Sequence, residues 1–395
     1  MTWLHCIECD ERYGGNEPRY TCDCGGLLEV RYEETPSRSD FSGPLGVWRY
    51  SSVLPLETAD SVTLHEGGTP LYDTEKLSDE IGVEIHVKHE GMNPTGSFKD
   101  RGMTVGVSKA IELGIERVAC ASTGNTSAAL AAYGAAADIP AVVLLPQGKV
   151  AMGKVAQALM HGAHLVELDG NFDECLRIVR ELADEGFFYV LNSINPYRLE
   201  GQKTIAFELL EQMNWEVPDR VVLPIGNAGN ISAIYKGFRE FYHGGIIDEM
   251  PMMTGVQAEG ASPLVGALQK SGPLEPFESP ETKATAIRIG DPVNAPKARG
   301  AIGETDGTAT SVTDEELMDA QVKLAQREGI GVEPASATSV AGVKKLLNEG
   351  VIDSTETVAC VTTGHLLKDP DAALEASGDT TKADATVEAV REALD

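Results

Sequence analysis

Short apolar runs alternate with segments of helical apolar spacing from about residue 85 onwards. The apolar runs are RVACAS, AVVLLP, AHLVEL, FFYVL, RVVLPIG and TVACVTTG, and each has the length of a buried strand. Helical patterns such as NTSAALAAYGAA and NISAIYKGFREF follow two of them. Strands that alternate with helices build parallel sheets through right-handed crossovers, so the pattern predicts an α/β fold with parallel-type sheets.

Two segments have boundaries that the sequence marks clearly. In NFDECLRIVRELADEG, Asn171 is the predicted N-cap, Glu174 is its capping-box partner and Gly186 ends the helix. The stretch SAALAAYGAAADIPAVVLLP is apolar enough to resemble a membrane span. Asp138 and Pro140 divide it, however, so we predict an Ala-rich helix followed by a buried strand.

A lysine occupies the first turn of a predicted helix in NPTGSFKDRG. Ser97 is the predicted N-cap, with Asp100 three residues later in a capping-box pattern. Because a helix N-terminus is partially positive, a cation there is biased toward its neutral, nucleophilic form. Lys99 is therefore a candidate attachment point for an aldehyde cofactor. The alternative is a surface lysine whose stem lies along the helix start.

The stretch VVLPIGNAGNISAIYKGF has the pattern of an anion-binding loop between a strand and a helix. A strand over 221–225 is followed by Gly226, Asn227, Ala228, Gly229 and Asn230, and a helix is predicted to begin near Ile231. Small residues let backbone N–H groups converge on a phosphate at a helix N-terminus. The loop matches neither G-x-x-x-x-G-K-[ST] nor G-x-G-x-x-G, and a simple tight turn is the alternative.

Two further polar clusters follow predicted strands. CASTGNTSAA places Ser122, Thr123, Asn125 and Thr126 at a strand-to-helix turn that suits a carboxylate, or else forms an ordinary N-cap cluster. LNSINPYRLEGQKT offers Asn192, Ser193 and Arg198, and arginine binds phosphate or carboxylate in a bidentate manner. A solvated surface arginine is the competing interpretation.

Acidic residues outnumber basic ones 61 to 32 in this chain of 395 residues, which gives a formal net charge of −29. This excess argues against nucleic acid and against an anionic membrane surface as partners. It fits a cytoplasm of high salt, where charge repulsion is screened, so we predict a halophilic protein. The N-terminal MTWLHCIECDERYGG lacks the basic and apolar regions of a secretory signal, and we expect a cytoplasmic location.

The cysteines form one cluster and three isolated positions: Cys6, Cys9, Cys22 and Cys24, then Cys120, Cys175 and Cys360. Two closely spaced pairs, CIEC and CDC, are typical of a tetrahedral zinc site, so we predict a zinc-ribbon-like segment with structural zinc. The C-x-C spacing is tighter than the usual C-x₂-C, and a metal-free ribbon is the alternative. We expect the isolated cysteines to be core residues.

Several motifs together resemble a known family: EGGTPL, NPTGSFKDRG, STGNTSAA, NSINPYRLEGQKT, PIGNAGN, EPASA and TTGHLLKDP. In this order, and with the cysteine pairs before them, they resemble the fold-type II pyridoxal-phosphate enzymes and within them the threonine synthases. The match spans most of the chain. Related dehydratases have a glycine-only phosphate loop, whereas GNAGN resembles that of the threonine synthases.

The resemblance implies roles for individual residues. Lys99 would carry pyridoxal 5'-phosphate, Asn125 would contact the ring hydroxyl, and Thr363 would bind the pyridine nitrogen. The cofactor phosphate would be bound by Gly226, Asn227, Ala228, Gly229 and Asn230. The substrate carboxylate would be bound by Ser122, Thr123 and Thr126, and the substrate phosphate by Asn192, Ser193 and Arg198.

The resemblance also implies the reaction and the architecture. The reaction would convert O-phospho-L-homoserine and water into L-threonine and phosphate. The expected division is a zinc-ribbon-like segment over 1–33, a larger cofactor-binding α/β domain over 34–98 and 200–372, a smaller α/β domain over 99–199, and an acidic tail over 373–395. The family suggests a homodimer. One departure is Leu366, where the family usually has glycine.

Two other interpretations remain at this stage. One is a paralogue that uses the same cofactor on another amino acid, such as a phosphoserine-using sulfonate synthase or a threonine/serine dehydratase. Motifs do not distinguish substrates that differ by one methylene, because that difference is worth only about 1–3 kcal/mol. The other is a zinc-ribbon binding protein with an inactive enzyme body, which the intact Lys99 and anion loops disfavour.

Overall fold

The computed structural model describes residues 2–34, 36–56, 61–148, 152–377 and 380–394. Its strands are β1 Thr2–Cys6, β2 Arg12–Tyr13, β3 Leu28–Tyr32, β4 Leu71–Asp73, β5 Glu84–His89, β6 Val118–Ala121, β7 Ala141–Pro146, β8 His164–Leu168, β9 Tyr189–Val190, β10 Arg220–Pro224, β11 Met252–Ala258, β12 Thr308–Val312 and β13 Thr357–Thr362.

The α-helices surround three separate sheets. They are α1 Glu75–Ile81, α2 Lys99–Glu112, α3 Asn125–Ala136, α4 Met152–Met160, α5 Phe172–Asp184, α6 Pro196–Gln212, α7 Gly229–His243, α8 Pro263–Gln269, α9 Ala295–Glu304, α10 Asp314–Glu328, α11 Pro334–Asn348, α12 Pro370–Ala376 and α13 Val387–Leu394. Of the predicted acidic tail, residues 378, 379 and 395 lie outside the described residues.

The largest sheet has the strand order β12-β11-β10-β13-β5-β4. Its pairs are parallel except for β4, which runs antiparallel to β5 at one edge. Every residue of β10 is buried, as expected for a strand with helices on both faces. One apolar cluster joins this sheet to α6, α7 and α9, and another joins it to α10 and α11. The sheet is therefore packed between helices on both of its faces.

A four-stranded sheet contains the strands between α2 and α6. Its order is β8-β7-β6-β9, and all of its pairs are parallel. Its apolar clusters include residues of α2, α3 and α5. The predicted α/β fold with parallel-type sheets is therefore confirmed. The division of the chain into domains with the boundaries given above stays a prediction.

Residues 2–32 form a small antiparallel sheet of order β2-β1-β3 that packs on the rest of the protein. Leu4, Leu28 and Val30 share an apolar cluster with Tyr197 of α6. The three isolated cysteines, Cys120, Cys175 and Cys360, are buried as expected.

The segments with clear sequence boundaries fold as predicted. Asn171 caps α5 and forms a reciprocal capping box with Glu174, because each side chain accepts a hydrogen bond from the other's backbone N–H. The apolar stretch divides into α3 and β7. Within the described ranges, no helix has the length and apolar character needed to cross a membrane.

Candidate active site

The polar motifs lie at the carboxyl ends of parallel strands, where open α/β sheets bind their ligands. The loop that contains Ser122 and Thr123 follows β6, and Asn192 and Ser193 follow β9. The loop from Gly226 follows β10, and Thr363 follows β13 directly. Residues from two different sheets are therefore presented at corresponding strand ends.

Lys99 lies in the first turn of α2, as the sequence predicted, and is its first residue, but the predicted cap is wrong. Phe98 is the N-cap, and the Ser97 hydroxyl is buried without a hydrogen-bond partner in the described part of the chain. Ser97 forms a β-bridge with Gly364 instead, which holds its backbone extended. The Asp100 carboxylate accepts hydrogen bonds from the backbone N–H and the hydroxyl of Thr95, at 2.7 and 2.5 Å. The turn before α2 is thus fixed by Thr95 and Gly364 rather than by a capping box.

The environment of Lys99 favours its neutral form. Burial, and after it the positive charge of Arg198, lower the pKa of Lys99 to about 7, although Glu333 acts in the opposite direction. Desolvation is thus the main cause, rather than the helix terminus that the sequence suggested. The Nζ atom lies 4.2 Å from the centroid of the Phe98 ring, and the residue keeps part of its surface accessible. Lys99 therefore has the properties of a reactive amine.

Arg198 is a buried cation with unused hydrogen-bond donors. The residue is 1 % exposed, and its Nε and Nη2 atoms are buried without partners among the described residues. Burial lowers the pKa of this guanidinium to about 10. Leaving a buried charge unpaired is costly, so such an arrangement indicates a place for an anion.

The loop from Gly226 to Asn230 has the geometry of an anion cradle. Ala228 has a positive φ of 61°, and α7 begins directly after it at Gly229 rather than at the predicted Ile231. The side chain of Asn230 holds the turn, because its Nδ2 donates to the carbonyl of Pro224 at 2.7 Å. The loop backbone therefore leads into the positive end of a 15-residue helix.

Two side-chain amides join these clusters into one site. Asn294 donates from its backbone N–H to the carbonyl of Asn227 and from Nδ2 to the carbonyl of Ser193. Asn192 binds the backbone of Ala121 through both ends of its amide, at 3.0 and 2.9 Å. The phosphate-type loop, the Asn192 cluster and the turn after β6 are consequently held beside one another.

Asn125 is the first residue of α3, and Ser122, Thr123 and Thr126 lie around the same helix start, partly exposed. The Asn125 Nδ2 atom is 3.1 Å from each carboxylate oxygen of Glu333. The structure therefore places these four predicted residues together at a helix N-terminus, where N–H groups attract carboxylates.

Thr363 is buried and connects β13 to the lysine-bearing turn. Its carbonyl accepts a hydrogen bond from the Phe98 N–H at 3.0 Å, and its hydroxyl lies 3.1 Å from the Ser336 hydroxyl. Ser336 also accepts from the N–H groups of Thr363 and Gly364. Leu366 is not among the described residues with a positive φ, so the backbone at this position does not require the glycine that the family usually has.

A buried ion network that the sequence did not suggest supports the turn of Lys99. Arg101 donates to Glu90 at 2.6 and 2.8 Å and to Glu208 at 2.7 Å through each of two nitrogens. Lys88 binds Glu208 at 2.8 Å. These four side chains are 0 % exposed. Arg101 is in α2 and Glu208 in α6, so the network fixes the helix that carries Lys99 against its neighbour.

Sequence reasoning also missed two residues beside the site, Glu333 and Lys368. Both occur in matched motifs, EPASA and TTGHLLKDP, but neither was given a role. An acidic residue immediately before the proline that opens a helix was the available signal for Glu333. Lys368 binds the carbonyl of Thr95 and the side chain of Gln157, and so links α4 to the turn before Lys99.

The four N-terminal cysteines form a second candidate site, in the segment of the small antiparallel sheet. The Sγ atoms of Cys6, Cys9, Cys22 and Cys24 all lie within 4.8 Å of one another, with 3.6 Å between Cys6 and Cys24 and 3.5 Å between Cys9 and Cys22. A tetrahedral zinc with Zn–S bonds of 2.3 Å requires sulfurs about 3.8 Å apart. The geometry therefore fits a zinc-ribbon-like segment.

Comparison with protein families gives one match, to the family described as "Pyridoxal-phosphate dependent enzyme", over residues 62–364. This range includes Lys99 and all of the loops described above. The chain is also similar in fold to the solved structure of threonine synthase from Escherichia coli, with a TM-score of 0.76 over 100 % of this chain and 94 % of that chain, at 19 % identity. The processed form of threonine deaminase isoform 2 from Solanum lycopersicum gives a TM-score of 0.69 over 92 % and 95 % of the two chains, at 20 % identity.

Two relatives from methanogens named in the sequence comparison have much higher sequence identity to the chain. The chain is 60 % identical to the threonine synthase of Methanosarcina acetivorans, over 100 % of this chain and 99 % of the relative. It is 56 % identical to the threonine synthase of Methanocaldococcus jannaschii, over 98 % of each. The chain therefore belongs to the pyridoxal-phosphate-dependent enzymes and, within them, to the threonine synthase family.

Proposed function

We propose that this protein converts O-phospho-L-homoserine and water into L-threonine and inorganic phosphate. The observation that carries the proposal is Arg198, whose two buried, unpartnered guanidinium nitrogens lie in the same site as Lys99. A substrate with a phosphate group supplies the acceptors that these donors lack. The 60 % identity to a threonine synthase over the whole chain supports the same reaction.

The residues present fit pyridoxal phosphate. Lys99 is a partly exposed residue, and the pKa of its amine is lowered to about 7. The loop of Gly226, Asn227, Ala228, Gly229 and Asn230 would hold the cofactor phosphate at the start of α7, Asn125 would bind the ring hydroxyl, and Thr363 the pyridine nitrogen. When bound, the cofactor supplies an electron sink that acidifies the carbon atoms of the substrate.

Substrate binding divides between two groups of side chains. Ser122, Thr123 and Thr126 would bind the substrate carboxylate at the N-terminus of α3. Asn192, Ser193 and Arg198 would bind the phosphate. One N–H of the Asn192 amide remains for this purpose, because the other is donated to Ala121.

Lys99 would move protons during the reaction. An amine with a pKa near 7 is a general base and a general acid at neutral pH, so Lys99 can take a proton from Cα and return it. A proton leaves Cβ as the bond between the γ-carbon and the phosphate oxygen breaks, water then adds its oxygen at Cβ, and a proton is delivered to the γ-carbon, which becomes the methyl group of threonine. Arg198 would stabilise the charge that develops on the departing phosphate.

The first test is to assay the purified protein with O-phospho-L-homoserine in high KCl, beside the variant Arg198→Gln. We expect equal amounts of threonine and phosphate from the wild type. We expect kcat/KM of the variant to be roughly 100-fold lower, because a charged hydrogen-bonding partner of the phosphate is lost.

The control for this test is Arg177→Gln, which changes an exposed arginine that pairs with Glu181. It should leave kcat/KM unchanged. An unchanged KM and kcat in Arg198→Gln would contradict the phosphate-binding role. A wild type that binds the cofactor but releases no threonine would contradict the substrate, and phosphoserine and free hydroxy-amino acids would be assayed next.

The proposal includes a structural zinc, a high-salt cytoplasm and a homodimer. The convergence of the four cysteine sulfurs supports zinc. The net charge of −29 supports high salt, and the cysteines, all free in the described structure, support a reducing compartment such as the cytoplasm. The homodimer rests on the family resemblance alone.

Replacing Cys9 by serine is expected to remove the zinc and to lower the free energy of unfolding by more than ~2 kcal/mol, because metal binding contributes directly to folding. Cys9 is exposed, so the effect cannot come from lost core packing. Elemental analysis and denaturant unfolding measure the two quantities. The control Cys175→Ala should keep the zinc, and a wild type without zinc would support the metal-free alternative.

A further inference from the structure

Glu333 is a buried carboxylate beside Lys99 to which neither the matched motifs nor the proposed reaction gives a role. It is 4 % exposed and precedes α11, but its side chain does not cap that helix. Its two oxygens are instead each 3.1 Å from Nδ2 of Asn125. The buried carboxylate of Glu333 is therefore in a position to orient the side-chain amide of Asn125.

The backbone at Gly364 leaves space for the Glu333 carboxylate because it has no side chain. A Cβ atom at Gly364 would lie 2.4 Å from Oε1 and 2.5 Å from Cδ of Glu333, so any other residue at this position would displace the carboxylate from its present place. The Glu333 N–H also donates to the Gly364 carbonyl at 3.0 Å. Gly364 follows Thr363, so Glu333 is locked against the segment proposed to bind the pyridine nitrogen.

The charges around Glu333 are mixed. Burial raises the pKa of its carboxyl group, and Asp369 adds to this effect. The hydrogen bond from Asn125 and the charges of Lys368 and Lys99 act in the opposite direction. Of these groups, only Asn125 donates a hydrogen bond to the carboxylate in the described structure. The geometry therefore links Glu333 to Asn125 more directly than to either lysine.

We propose that Glu333 is a positioning residue that fixes the Asn125 side chain, so that the second N–H of its amide donates to the ring hydroxyl oxygen of the cofactor. A side-chain amide has two N–H donors, and binding one of them fixes the direction of the other. Glu333 itself does not touch the cofactor. The inference rests on the proposed contact between Asn125 and the ring.

The test uses the full chain, freed of cofactor and titrated with pyridoxal 5'-phosphate, with the absorbance band of the bound cofactor as the readout. We expect Glu333→Ala to raise the dissociation constant about tenfold, since the amide loses its orientation. The absorbance maximum and the pH at which the band titrates should also shift, because the ring oxygen loses a fixed donor. Glu333→Gln retains an acceptor oxygen and should restore part of the affinity.

A double-mutant cycle with Asn125→Ala separates positioning from general stability. In the Asn125→Ala background, Glu333→Ala and Glu333→Gln should each change the dissociation constant less than twofold. The proposal is overturned if the Glu333 variants have the same effect in both backgrounds, or if they keep the wild-type spectrum and affinity. If Glu333→Ala does not fold, the dissociation constants of Glu333→Gln in the same two backgrounds separate positioning from general stability.

Failure of the proposed function would be distinguished from failure of this inference. A wild type that shows no bound-cofactor band would overturn the function itself. A wild type that binds the cofactor without making threonine would overturn only the substrate, because none of these readouts requires turnover. Thermal unfolding of the cofactor-free variants shows whether Glu333 acts on the fold instead.

Discussion

Lys99→Ala is expected to lower the production of threonine by at least ~10³-fold and to abolish the absorbance band of the covalently attached cofactor. The substitution removes both the attachment point and the proposed proton-transfer group, and general acid–base catalysis alone contributes 10²- to 10⁴-fold. The amine owes its reactivity to burial and to Arg198, which lower its pKa to about 7. Threonine release and the cofactor spectrum are measured on the same sample.

The matched control is Lys344→Ala, which removes an exposed lysine paired with Asp319. It should leave both measurements unchanged. In the wild type, cofactor attachment should become faster as the pH rises through about 7, because Lys99 loses its proton in that range. Attachment that persists in Lys99→Ala would assign the cofactor to another lysine.

Arg101→Leu is expected to lower the free energy of unfolding by roughly 3–5 kcal/mol, because it leaves the buried Glu90 without its cation and leaves Glu208 with Lys88 alone. Arg101 binds both Glu90 and Glu208, and all three side chains are 0 % exposed. Burial alone would raise the pKa of Glu208, but Arg101 and Lys88 hold it below its usual range. Urea unfolding of the wild type and the variant in the same high-salt buffer gives the difference.

The pH dependence of this difference has a defined sign. Since the pKa values of Glu90 and Glu208 are lowered in the folded protein, their contribution is complete above the unfolded value of about 4.3 and is lost as the pH falls below it. The gap between wild type and variant should therefore shrink in acid. Arg177→Leu, which breaks an exposed pair, should change stability by less than ~1 kcal/mol. Equal losses in the two variants would refute the role of the buried network.

Features that depend on a few adjacent residues could be predicted from the sequence. The α5 helix has the predicted cap at Asn171, because capping is a contact between residues three positions apart. The strands β7, β10 and β13 match apolar runs in the sequence, since burial on both faces requires continuous apolar residues. The loop of Gly226 lies between its strand and helix as predicted, with only the helix start moved to Gly229.

The prediction of Ser97 as the N-cap was wrong because of a contact between residues that are far apart in the sequence. The local pattern of Ser97 and Asp100 satisfies the capping-box rule, but a bridge to Gly364, distant in the sequence, extends the backbone at Ser97. Asp100 then binds Thr95. A tertiary contact thus overrode a local preference, as is common when the competing local term is worth about 1 kcal/mol.

The sequence by itself determined the α/β class, the six strands β6 to β10 and β13, and the motifs that identify the family. It did so because periodicity, capping and anion-loop composition are local properties of the chain. Only the tertiary structure decided the desolvation that lowers the pKa of Lys99, the guanidinium of Arg198 without partners among the described residues, and the contact of Glu333 with Asn125. These depend on desolvation and on distances between residues far apart in the sequence, which only the folded chain brings together.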